Sequence, residues 1–281
     1  MTYNIVCDSS ADLKTTVLQP DRLFLTSVPL RINVGAEEFT DDETINVPAL
    51  LEAMNAEKGS SGTACPSPAT FAAAFEQADC SICITISSAL SGTYNAAVMG
   101  RDLVLEEHPE KKICVIDSRS AAGPLVLLAR RAQQLLEATD EPDFEQVCTE
   151  LRIYQASLRT VFTLENYDNL IKNGRMRPLV GSLLHSLGIH IIADATPQGS
   201  IHVAGKARGE VKTYQAIVEQ MRTSKDCTGM EVCIANCENL AGALKLKELI
   251  LKELPVKDVS ILSCRGLTSF YAMKNGLILG Y

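Results

Sequence analysis

The chain has 281 residues, 46% hydrophobic and 21% charged, with a formal net charge of −8 and ten cysteines. That length suits two domains or one large one, and the balance is ordinary for a globular protein. No apolar run is long enough to span a membrane, the start MTYNIVCDSS lacks the regions of a secretory signal, and no large basic block is present. A cytoplasmic protein with no stable membrane insertion and no nucleic-acid partner is therefore expected.

In chain order, residues 4–7 predict a first strand ending in Asp8-Ser9-Ser10, with a helix starting near Ala11. LFLTSVPLRINV (23–34) is a second apolar segment, backed by a turn over GAEEFTDD (35–42). A helix follows over Pro48 to Asn55, capped by Asn46 and carrying proline in its first turn. EKGSSGTACPSPATF reads as a long small-residue loop, and Ser67-Pro68 opens the next helix, ATFAAAFEQA. Then come a strand over 81–86, a helix to about His108, a strand over KICVIDS (112–118) and a helix over 123–138. This alternation predicts an α/β domain with a mostly parallel sheet covered by helices on both faces. A small β-rich insertion is expected over about 22–58.

The pattern then changes. A helix over 143–157 precedes the strand RTVFTL and a helix ENYDNLIKNG closed by Gly174 at its C′ position. RMRPLVGSLLHSL continues as helix or loop, and two strands meet at the turn Pro197-Gln198-Gly199. A helix over about 209–224, the strand EVCIANC, a helix over 238–254 and the strands DVSILSC and LILGY complete a mixed α+β layer. The expected boundary lies near 155, giving domains 1–155 and 156–281.

ITISSALSGTYNAA (84–97) poses the functional question. A buried strand leaves through Ser87, Ser88, Ser91, Gly92 and Thr93, five small or hydroxyl residues in seven positions, before helical spacing resumes. A helix N-terminus presents unpaired N–H groups, and short hydroxyl residues there cap the helix or bind an anion. Any one serine is better read as a cap; five exceed what one cap needs. The other strands end in Asp-Ser-Ser and Asp-Ser, and ligands of open parallel sheets sit beyond the carboxyl ends of the strands. One site at that edge is the expectation, although such loops are rich in Ser and Asp for capping reasons alone.

Other chemistries fare worse. Cys80 and Cys83 have CxxC spacing but fall on a predicted strand, with no second cysteine or histidine pair, so structural zinc is not expected. A hydrolase with Ser88 or Ser91 as nucleophile would need a base from His108, His185, His190 or His202, and the GxSxG pattern is absent near these serines. Neither a Walker A nor a GxGxxG fingerprint supports nucleotide binding.

IVCDSSADL (5–13), VPLRI (28–32), GTACPSP (62–68), ISSALSGTYNAA (86–97), VIDS (115–118), LENYDNLIKNGRM (164–176) and GKAR (205–208) occur in that order. Together they resemble the DegV family of bacterial lipid-binding proteins, over nearly the whole chain. The resemblance implies a Rossmann-like parallel-sheet domain plus an α+β domain with a mixed sheet. It also implies a long-chain fatty acid in an apolar tunnel between them, without other cofactor or metal. Such a protein is a carrier, not an enzyme, and presents the acyl carboxylate to a separate fatty acid kinase that serves phospholipid synthesis. Carried over by motif, the implied ligand-binding residues are Thr63, Ser67, Ser91, Gly92, Thr93 and Arg208. Arg175, of NGRM, is read as a structural or entry-region residue. Cys264 stands where the family has a histidine, and the adjacent Arg265 is expected to supply the missing donor. Asn173 replaces a family glycine, and SLGIHII replaces a Lys-Pro segment. A diverged interaction protein that binds no lipid remains the alternative, and a monomer is expected.

Overall fold

The structure, a computed structural model, describes residues 1–57, 59–177 and 188–281. The first sheet is built from β1 (Tyr3–Asp8), β2 (Thr16–Gln19), β3 (Leu23–Val28), β7 (Cys80–Thr85) and β8 (Lys112–Asp117), in the order β2-β3-β1-β7-β8. β3, β1, β7 and β8 run parallel, and β2 closes one edge antiparallel to β3. All six residues of β1 and of β7 are buried, as a strand covered on both faces must be. Helices α2 (Pro68–Phe75) and α3 (Thr93–Glu107) cover one face; α4 (Gly123–Glu137) and α5 (Phe144–Ser157) cover the other.

A three-stranded antiparallel sheet, β5-β4-β6, is formed by β4 (Arg31–Val34), β5 (Glu37–Thr40) and β6 (Ser61–Ala64). Helix α1 (Val47–Ala56) packs Leu50, Leu51 and Met54 against its Ile32 and Val34. The second large sheet has the order β11-β10-β9-β14-β12-β13. Its strands are β9 (Thr160–Leu164), β10 (Ile189–Ala195), β11 (Ile201–Arg208), β12 (Glu231–Asn236), β13 (Asp258–Ser263) and β14 (Leu277–Gly280). Only β12 and β13 pair in parallel. Helices α6 (Asp168–Lys172), α7 (Glu210–Ser224), α8 (Leu240–Glu253) and α9 (Gly266–Ala272) complete this half.

Helix α4 joins the two large sheets. Leu125, Leu128, Ala129 and Ala132 pack on the first sheet, while Val126 and Leu127 pack with Cys233 of the second. Its N-terminal half, Gly123–Ala129, is apolar and buried on every side. Its first turn touches backbone directly: a Cβ on Gly123 would lie 2.5 Å from the Cys233 carbonyl oxygen and 2.7 Å from the Gly280 nitrogen. Only glycine permits that approach.

Several local expectations are corrected. The helix expected near Ala11 is a single tight turn over Ser9–Ala11, ended by Asp12 in the left-handed region. Asp8 caps that turn, so its carboxylate closes the motif instead of starting a helix. The expected turn over 35–42 contains β5, and the expected loop over 57–71 contains β6. β3, inside the expected 22–58 insertion, belongs to the large sheet; the small sheet takes its third strand from 61–64 instead. Helix α9 had no sequence expectation. The helix-or-loop reading of 175–187, and with it His185, falls largely outside the described residues. Cys80 and Cys83 pack in different cores on opposite faces of β7, so their CxxC spacing cannot converge on one ion. No helix among the described residues is long and apolar enough to cross a membrane.

Candidate functional site

A cavity with an empty volume of about 830 Å³, including its open mouth, lies between the two large sheets. Leu30 and Ile86 reach it from the first half, and Phe162, Leu164 and Ile278 from the second. Leu90, Leu170 and Leu267 continue the apolar wall.

One group of polar side chains gathers at this wall. Thr63, on β6, has its Oγ1 2.8 Å from the hydroxyl of Tyr271, on α9. Ser91, in the turn before α3, has its Oγ 2.8 Å from the Thr93 Oγ1. Arg175 donates from Nε to the Leu90 carbonyl at 3.1 Å and from Nη1 to the Asn173 carbonyl, and its guanidinium lies 6.0 Å from the centre of the Tyr271 ring. Helix α6 explains how Arg175 gets there. Gly174, at φ +74°, turns the chain, its N–H bonds the Ile171 carbonyl, and the Arg175 N–H bonds the Leu170 carbonyl. Ser10 and Thr268 line the same cavity with buried hydroxyls that have no hydrogen-bond partner among the described residues. The same hydroxyls lie beside the Asp8 and Asp12 carboxylates.

The other strand-end hydroxyls hold the scaffold. The Asp8 carboxylate accepts from the Ile86 N–H at 2.6 Å and the Ser10 N–H at 2.9 Å, stitching the ends of β1 and β7; burial pushes it up to about 6 against those bonds. Ser87 donates to the Gly199 carbonyl at 2.8 Å, which docks the β10–β11 turn onto the first sheet. Ser88 is exposed and donates to Asp117 at 2.5 Å. Among the described residues, no hydrogen bond of Ser88 or Ser91 goes to a histidine. At the hairpin, Asp194 faces the cavity and bonds His202 Nδ1 and Gln220 Nε2.

The expected site residues divide accordingly. Thr63 and Ser91 line the cavity. Thr93 is buried behind Ser91 and positions its hydroxyl, and Gly92 is the exposed cap residue of α3. Ser67 is corrected: it is exposed and caps α2, accepting from the Thr70 N–H at 3.2 Å. Arg208 is exposed at the far end of β11 and is not in the cavity lining among the described residues. Cys264 is buried among apolar side chains of the second half, with burial as the main force raising its thiol, and does not line the cavity.

Arg265 is also corrected. It is 7% exposed and ties the halves together, its guanidinium donating to the Leu13 and Asp41 carbonyls and its N–H to the Asp12 carboxylate at 2.6 Å. The cation at the cavity is Arg175 instead. Tyr271 and Thr268 were missed because α9 was missed; the glycine stop at Gly174 was the sequence signal that could have promoted Arg175.

An apolar cavity that gathers hydroxyls and the Arg175 guanidinium at one part of its wall, away from the Asp194 carboxylate held by His202 and Gln220, fits an amphiphile with a long chain and an anionic head. The family model described as "Uncharacterised protein, DegV family" matches residues 2–275. A DegV domain-containing protein of Streptococcus gordonii is 36% identical over 284 residues, covering 100% of this chain and 99% of its own. The crystal structure of the Streptococcus pneumoniae fatty acid kinase (Fak) B3 protein loaded with linoleic acid is similar at 35% identity and a TM-score of 0.94, covering 100% of this chain and 99% of that one. A DegV family protein from Eubacterium eligens loaded with heptadecanoic acid is similar at 32% identity and a TM-score of 0.92, covering 99% of each chain.

Proposed function

The chain belongs to the DegV family, and from that membership we propose that it binds a long-chain fatty acid in the cavity between its two large sheets. The carboxylate takes hydrogen bonds from Thr63, Ser91 and Tyr271 and the charge of Arg175, with Ser10 and Thr268 as buried donors nearby. The observation that carries this reading is an apolar cavity with hydroxyls and the Arg175 guanidinium together at its wall, where Asp194, the acidic lining residue among the described residues, is bonded to His202 and Gln220. The fatty acids bound in the similar Streptococcus pneumoniae and Eubacterium eligens structures support it.

The energetics are sufficient. A sixteen-carbon chain buries about 14 methylenes, worth roughly 11 kcal/mol gross. Ordering the complex removes several kcal/mol of that. The head group then has to be satisfied, not strongly attracted, because an unpaired buried carboxylate is what would be costly. Hydroxyl donors with one guanidinium meet that need. A carrier that hands the carboxylate to a fatty acid kinase follows from the name of the similar B3 protein, and the chain itself then performs no chemistry. A cytoplasmic setting accords with ten free cysteines. A boundary near 155 accords with α5 packing into the first sheet's core and β9 opening the second sheet.

Mass spectrometry of an organic extract from natively purified protein tests the proposal. A near-stoichiometric fatty acid is the expected result. An extract that is empty, and stays empty after incubation with fatty acids, overturns it.

A further inference from the structure

Strand β9 lines the cavity with alternate residues, Thr160, Phe162 and Leu164, while Val161 packs behind it in the core of α7 and α8. Leu164 lies four residues on from Thr160, about 13 Å along the strand. The Leu164 end belongs to the head group. Helix α6 follows it, and Asn169 of that helix donates to the Phe270 carbonyl at 2.7 Å, next to Tyr271. The Thr160 end is polar as well. There the Thr160 Oγ1 lies 2.5 Å from the Ser120 Oγ, and both side chains line the cavity although they are only 9% and 6% exposed. Asp194 pairs with Val161, so the β10–β11 turn, whose Gly199 and Ser200 also line the cavity, lies at this same end.

Each hydroxyl has one hydrogen to give and two lone pairs to receive with. The bond between Ser120 and Thr160 uses one hydrogen and one lone pair. Among the described residues neither hydroxyl makes another hydrogen bond, so one O–H is left to donate. Asp194 does not take it: its carboxylate is engaged by His202 Nδ1 at 2.8 Å and Gln220 Nε2 at 2.9 Å. A plain acyl chain at this end offers the O–H only methylenes, which accept nothing. Alanine and valine would build the same wall without the polar group, since replacing both partners of such a bond by apolar groups of the same shape is nearly neutral.

Building on the fatty-acid reading above, we propose that the cavity prefers a long-chain fatty acid carrying a hydroxyl near the middle of its chain, and that the Ser120–Thr160 pair binds that hydroxyl. The carboxylate stays with Thr63, Ser91, Tyr271 and Arg175. The chain hydroxyl accepts the free O–H of the pair and gives its own hydrogen to a remaining lone pair. Ser120 comes from the loop after β8 and Thr160 from the start of β9, so the bound hydroxyl is held from both halves at once.

The test titrates the delipidated full chain with stearate, 2-hydroxystearate, 10-hydroxystearate and 12-hydroxystearate, all of one chain length. The better of the 10- and 12-hydroxy acids is expected to bind about fivefold tighter than stearate, as one net hydrogen bond allows. 2-Hydroxystearate is expected to show no such gain, because its hydroxyl lies beside the carboxylate. Thr160→Val keeps the branched shape and is expected to bring the ratio of the two affinities to about one. Ser120→Ala is expected to do the same and serves if Thr160→Val does not fold. A pair that only staples the halves predicts lower melting in both variants and no gain from a hydroxyl in the unaltered chain. No gain over stearate, an equal gain for 2-hydroxystearate, or a gain that survives both substitutions overturns the proposal. Stearate binding without a hydroxyl gain overturns this proposal alone, whereas failure of all four acids to bind overturns the fatty-acid reading with it.

Discussion

Two arginines mark two regions of the junction between the halves, and they do opposite jobs. Arg265 is enclosed: carbonyls of Leu13 and Asp41 take its guanidinium, and Asp12 and Asp41 take the N–H groups of Arg265, Gly266 and Leu267. Arg175 instead lines a cavity among neutral hydroxyls and an aromatic ring. A buried guanidinium taken up by two carbonyls, with two carboxylates close by, has little charge to offer a ligand. A cation among hydroxyls has more. Position next to the family's histidine pointed to Arg265, while the electrostatic surroundings point to Arg175.

Removing each cation breaks the comparison most directly. Arg265→Ala leaves Asp12 and Asp41 buried without their counter-charge and is expected to cost about 3–5 kcal/mol of stability, read as a lower midpoint in denaturant. If that variant instead kept its stability and lost its fatty acid, Arg265 would belong to the head group after all. The carboxylates of the same knot should make stability depend on pH. Asp8, Asp12 and Asp41 are all raised, chiefly by burial, Asp8 from 3.8 to about 6. A carboxyl raised on folding holds its proton better in the folded state. Its contribution is therefore complete below pH 3.8 and fades as pH climbs through about 6. For Asp8 the fade is about 3 kcal/mol, and Asp8→Asn should flatten the curve over that window in denaturation series.

At the cavity the readout changes from stability to affinity. Arg175→Ala is expected to weaken fatty-acid binding by about 2 kcal/mol, about thirtyfold in Kd, with little change in melting. Titration of delipidated protein measures it, and an unchanged Kd would move the head group elsewhere. The smallest effect sharpens the line between cap and site: Ser67→Ala should cost about 1 kcal/mol of stability and leave Kd unchanged.

Much of the fold was legible in the residues. The parallel core strands announce themselves as continuous apolar runs, and Asn46-x-Pro48 and Ser67-Pro68 announce helix starts that the structure places there. The short strands β2, β5 and β6 were not legible, because four-residue edge strands such as Glu37–Thr40 carry too few apolar residues to show a period. Helix α9 hid for the opposite reason. Six of its seven residues are buried, so no polar face marks it as amphipathic. With it went Tyr271 and Thr268.

The chain by itself determined the alternation of strand and helix and the hydroxyl-rich exits at one sheet edge, Ser91 among them, because these rest on local periodicity and turn chemistry; Thr63 came from the family resemblance alone. Only the tertiary structure decided which polar residues meet. Ser67, Arg208 and Arg265 carry the same chemical groups as Ser91 and Arg175, and what separates them is the company each keeps. A capping hydroxyl outside the cavity and a guanidinium enclosed behind its wall do not reach a ligand there, and that placement is set by contacts between residues as distant in the chain as Thr63 and Tyr271.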